Sequence, residues 1–100
     1  MVKLPDEYLK IVIECIKLHV PSYQVLAYGS RVKGTAHSAS DLDLVIRNMR
    51  NSTQQVENFY DFKEALSESN LPILVDVLDW SKIPESFKQE IEANHVQIWP

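Results

Sequence analysis

The segment VLAYGSRVKGTAHSASDLDLVIR, Val25 to Arg47, holds both glycines of the 100-residue chain, Gly29 and Gly34, and sets two aspartates, Asp41 and Asp43, in an apolar run. Val25 to Tyr28 leads into Gly29-Ser30, so a strand ends in a tight turn whose backbone can approach a ligand closely. Small and polar residues, Thr35 to Ser40, follow the second glycine, and Asp41 to Ile46 then reads as a second strand. Strand alternation puts Asp41 and Asp43 on one side, with Cα atoms roughly 7 Å apart. Two carboxylates on one face repel each other and are costly to desolvate unless a cation lies between them. The pattern points to a divalent-metal site beside a phosphate-cradling turn.

Outward from this segment, Leu9, Val12, Ile13, Ile16 and Val20 recur at three-and-four spacing, which predicts a helix within Leu4 to Val20. Pro5, Asp6 and Glu7 suit its first turn, and Pro21 ends it. The first strand runs from Tyr23 or Gln24 to Tyr28, a short helix through Arg31 and Val32 ends near Gly34, and the second strand spans about Asp41 to Arg47. Ser52 or Thr53 caps a helix reaching about Ser69, with Val56, Phe59, Tyr60, Phe62, Lys63 and Leu66 on its inner side. Leu71 to Trp80, LPILVDVLDW, is apolar and β-branched and predicts a third strand buried on both faces. A last helix covers Glu85 to about Ala93, and His95 to Trp99 forms a final short strand or a packed tail. Thr35 to Ser40 is too short for a full crossover helix. The expected architecture is therefore α/β, a small mixed sheet packed with helices, in one domain over residues 1–100.

Composition narrows the function classes. Ten basic and fourteen acidic residues give a net charge of -4, and the tight basic cluster is Arg31 and Lys33, so a broad nucleic-acid surface is not expected. A single cysteine, Cys15, leaves no internal disulfide and no cysteine-rich zinc site. His19, His37 and His95 lack metal-ligand spacing. No apolar run approaches the roughly 20 residues of a membrane span, and Met1 is not followed by a signal-like segment, so a cytoplasmic protein without membrane association is expected. The aromatics Phe59, Tyr60 and Phe62 read as packing, Cys15 as core, and Ser38 and Ser40 as turn-formers.

A phosphate-binding P-loop requires Lys and then Ser/Thr after its second glycine; here Thr35 follows Gly34 and Lys33 precedes it, so that reading fails. Gly29-Ser30, Gly34 and Ser40-Asp41-Leu42-Asp43-Leu44 instead resemble the signature of the nucleotidyltransferase superfamily related to DNA polymerase β. Within it, the short chain is most similar to minimal nucleotidyltransferases of the MNT type. The resemblance implies a third carboxylate on a later strand, and Val75-Asp76-Val77-Leu78-Asp79 supplies it as Asp76, with Asp79 as the alternative. It implies Mg²⁺, as two ions held by Asp41, Asp43 and Asp76, which are also the catalytic acids. Gly29, Ser30, Arg31 and Lys33 would contact the triphosphate of ATP or another NTP.

The physics of each position agrees with this. Magnesium favours carboxylate and phosphate oxygens, Ser30 offers an N–H and a hydroxyl, and Asp76 suits deprotonation of an attacking hydroxyl. The family further implies a helical HEPN-domain toxin as partner and AMP acceptor, with this chain as antitoxin. A catalytically idle nucleotide-binding subunit that neutralises the partner by association is the alternative.

Overall fold

The apolar stripe of Leu9 to Val20 folds as α1 (Asp6–His19), which buries Val12, Cys15 and Ile16. Asp6 and Glu7 stand in its first turn and Lys17 and His19 in its last, each complementing the helix dipole. The structure, a computed structural model, describes residues 2–100; Met1, the first residue of the expected domain, lies outside them. After α1 come β1 (Gln24–Tyr28), α2 (Ser30–Lys33), β2 (Leu42–Arg47), α3 (Phe59–Ser67), β3 (Val75–Asp79), a 3-10 turn at Trp80–Lys82, α4 (Glu85–Ala93) and β4 (Val96–Trp99).

The strands form one sheet in the order β3-β2-β1-β4. β1 is antiparallel to β2 and β4, whereas β2 and β3 are parallel, with α3 in the connection between them. The mixed sheet expected from the sequence is what forms. Strand alternation divides its side chains between two cores. On one face Val25, Ala27, Leu44, Ile46 and Val77 pack with Val12 and Ile16 of α1 and Phe62 and Leu66 of α3. On the other, Leu26, Tyr28 and Val45 pack with Trp80 and Ile91. Fully burying an aliphatic or Phe side chain contributes roughly 1.5–3 kcal/mol, so the larger first cluster dominates stability and the second leaves room for a site. Arg47 fixes α4 over that second face: it donates to Glu92 at 2.5 Å and to Gln24 at 2.7 Å, and its guanidinium lies 4.6 Å from the Trp80 ring centroid.

Two expectations need correction. The third strand is Val75–Asp79 rather than Leu71 to Trp80, and it is an edge strand with Asp76 exposed, not a strand buried on both faces. Pro72 and the exposed Leu74 belong to the loop before it. The third helix starts at Phe59, not at Ser52 or Thr53, because Asn48 and Asn51 side chains accept from Arg50, Asn51 and Thr53 and hold that stretch in turns. Asn58, in the left-handed region at φ 61°, then turns the chain into α3. The tail resolves into β4, because its Val96, Gln97 and Trp99 pair with the free edge of β1. Among the described residues no helix is long and apolar enough to cross a membrane.

Candidate active site

Register brings the acids together. β2 pairs with β3 so that Asp43 lies opposite Asp76, and with β1 so that Tyr28 lies opposite Asp43. Neighbouring strands lie about 4.8 Å apart and paired residues share a face, so Tyr28, Asp43 and Asp76 form a row across the sheet's second face. Asp41, exposed and one residue before β2, keeps the two-residue spacing to Asp43. All three predicted acids are thereby gathered at one end of the sheet.

Asp43 is half-buried, and its carboxyl is pushed above the usual carboxylate range by burial first, then by the negative charges of Asp76 and Asp41. The Tyr28 phenol is pushed above its ordinary range by burial, then by Asp43 and Asp76, and so stays a neutral donor. Among the described residues no three His, Cys, Asp or Glu side chains already converge as a metal-binding group. Mutual repulsion of uncompensated carboxylates opposes such convergence. The donor set nevertheless fits magnesium, because it consists of hard carboxylate oxygens on one face.

Gly29 closes the site from the other side. It adopts φ 79° and ψ -154°, a region essentially reserved for glycine. A β-carbon there would collide with Asp43 Oδ2 and lie 3.3 Å from its carboxyl carbon. The absent side chain is thus what lets the turn sit against the acid. Gly34, at φ 85°, caps α2 in the left-handed conformation and donates to Ser30 O at 3.1 Å. Gly29→Ala is therefore expected to lower stability by about 1–3 kcal/mol, a fall in Tm of roughly 4–24 °C, and to displace Asp43. Thermal melts and metal titration together check it: an alanine variant with unchanged melting and unchanged metal affinity contradicts the steric reading.

The remaining predicted residues separate. Ser30 is half-buried at the start of α2 and Lys33 is exposed at its end. Arg31 is 4 % exposed, and its guanidinium donates to backbone carbonyls: Lys3 at 2.7 Å, Ser40 at 2.8 and 3.1 Å, Ser38 at 3.3 Å and His37 at 3.5 Å. That corrects the expectation of a triphosphate contact: Arg31 ties the loop ahead of Asp41 to α2 and to the N-terminal segment. Asp79 is equally occupied. It accepts from Val56 N and Ser81 N at 2.9 Å and from Ser81 Oγ at 2.7 Å, and it points to the face opposite Asp76, three residues away. The third acid facing Asp43 is Asp76. Sequence reasoning missed Tyr28, although its position one residue before Gly29 on an alternating strand carried the signal.

The family model described as Polymerase beta, Nucleotidyltransferase matches residues 11–99. A Haemophilus influenzae protein named "Probable protein adenylyltransferase MntA" is 43% identical over 101 aligned residues, covering 95% of this chain and 82% of its own length. Among solved structures, a toxin-antitoxin crystallised with AMP-PNP superposes with a TM-score of 0.71 at 21% identity, over 91% of this chain and 72% of that one. The toxin-antitoxin MntA-HepT gives 0.66 at 16% identity, over 95% and 72%. These two show the fold. With the match spanning α1 to β4, the chain belongs to the Polymerase beta nucleotidyltransferase family.

Proposed function

We propose that this chain is a Mg²⁺-dependent protein adenylyltransferase that moves AMP from ATP to a hydroxyl of a HEPN-type toxin partner, breaking the α–β phosphoanhydride and releasing pyrophosphate, and so acts as a cytoplasmic antitoxin within a single domain. The observation that carries the reading is the in-register pair Asp43 and Asp76, with Gly29 packed against Asp43. The 43% identity to a protein named as an adenylyltransferase, and the shared fold with toxin-antitoxin structures, support the donor and the partner.

In this reading Asp41, Asp43 and Asp76 hold the metal. Magnesium, when bound, offsets charge on the attacking and leaving oxygens of the phosphoryl group. The chain's own residues do the rest. Gly29 lets the backbone approach the triphosphate, and Ser30 donates to its oxygens through N–H and hydroxyl. Lys33, exposed at the end of α2, adds a cationic contact. Asp76, exposed on the outer strand, is open to an incoming acceptor and accepts its hydroxyl proton.

Intact-mass analysis of a HEPN partner incubated with this chain, ATP and Mg²⁺ tests the reading. One or more AMP additions are expected, absent with the Asp41→Asn/Asp43→Asn variant. A stable complex without any adduct would replace transfer by neutralisation through binding.

A further inference from the structure

Beside the acids the second face of the sheet holds a cavity of about 160 Å³ between α2 and α4, walled by Tyr28, Gly29, Lys33, Phe87, Glu90 and Asn94. Tyr28 and Phe87 meet edge-to-face, with ring centroids 5.5 Å apart and planes at 86°, and so give the cavity a rigid aromatic wall. Gly29 belongs at once to this wall and to the turn against Asp43. Whatever fills the cavity therefore adjoins the phosphate turn. Across the row of paired residues the cavity lies at Tyr28, on β1, whereas Asp76 lies on β3 at the far edge. Donor and acceptor then approach from opposite sides of Asp43.

The polar rim is unengaged: among the described residues the side chains of Asn94, Glu90 and Lys33 make no hydrogen bond or ion pair that the structure records. Asn94 follows α4 as its C-cap, where its backbone is extended and its N–H bonds to Ile91 O. An aromatic wall with a few converging polar groups is the usual make-up of a site for a flat heterocycle.

We infer that this cavity seats the nucleobase of the donor nucleotide and that Asn94 selects adenine. The inference rests on the nucleotidyl-transfer reading above and adds to it a base-reading residue. An asparagine amide offers one donor and one acceptor, which match the N7 acceptor and N6 amine of adenine; guanine presents two acceptors, N7 and O6, along the same edge. Glu90, acceptor-only when ionised, likewise favours an edge that carries an amine. Phe87 supplies the stacking surface, a contact that every base can use.

Calorimetric binding of AMP-PNP and GMP-PNP in Mg²⁺ to the full chain tests this. The wild-type chain is expected to prefer AMP-PNP by roughly tenfold or more. Asn94→Ala, at an exposed position, removes both the donor to N7 and the acceptor for N6 and should weaken AMP-PNP roughly tenfold with little change for GMP-PNP, which collapses the preference. Phe87→Leu, which keeps apolar packing, should weaken both analogues alike by roughly five- to tenfold or more. Strong binding with an unchanged preference in Asn94→Ala, or a proportional loss of both analogues there, overturns the base pocket and leaves the transferase reading intact. A wild-type chain that binds neither analogue overturns both.

Discussion

Asp43→Asn is expected to reduce AMP transfer by roughly a thousandfold or more. Metal-assisted stabilisation of transition-state charge amounts to several kcal/mol, and each 1.36 kcal/mol is a factor of ten in rate. Asparagine preserves shape and loses the charge that magnesium needs, so Mg²⁺ with nucleotide should raise the Tm of the wild-type chain by ligand linkage and that of the variant far less. Metal-free stability separates this from a folding defect. Asp43 titrates above its unfolded value, near 3.9, so over that interval the folded chain binds more protons than the unfolded one. The contribution of this carboxyl to stability is then present at acidic pH and is lost as pH rises through the raised range. Asp43→Asn should flatten that decline and leave the metal-free protein at least as stable near neutrality. Thermal melts across pH, with and without Mg²⁺, check both; an equal Mg²⁺-nucleotide rise in the variant would remove Asp43 from the metal site.

Arg31→Lys should be the most damaging conservative change. The guanidinium reaches four carbonyls in two separate segments, Lys3 and the loop from His37 to Ser40. A lysine ammonium has no planar fork and satisfies one or two of them, which leaves the other part-buried pairings unmade. A loss of about 3 kcal/mol, or a Tm lower by roughly 12–24 °C, is expected. The loop that delivers Asp41 should loosen, so metal affinity falls as well. If Arg31→Lys instead kept the wild-type Tm and weakened only nucleotide binding, the side chain would be a phosphate contact after all.

The residues that were legible in the sequence share a property: their local chemistry and their tertiary role coincide. Gly29-Ser30 turns because glycine permits φ 79°, and Asp41-Leu42-Asp43-Leu44 alternates because β2 has two different faces. Arg31 was misread because a basic residue next to a phosphate turn suggests a ligand contact, whereas its partners are carbonyls up to 28 positions away in the chain. Asp76 and Asp79 both sit in one apolar run; alternation sets them on opposite faces, and only the register with β2 and the amides of Val56 and Ser81 show which of them faces Asp43. Leu71 to Leu74 has strand-like composition but precedes the strand, since just five residues of that run find partners on β2. Pairing partners distant in sequence are invisible to a local pattern.

The parallel pairing of β2 with β3 also governs when the protein can work. Asp43 and Asp76 meet only after the chain between them has closed around α3, and β1 gains its second neighbour only when β4, the last strand, has docked. Such non-local pairing forms late relative to local helices and turns. A chain still emerging from the ribosome already carries the glycine turn and two of the acids while the third is unsynthesised. The carboxylate pair across β2 and β3 thus exists only once this sheet has assembled.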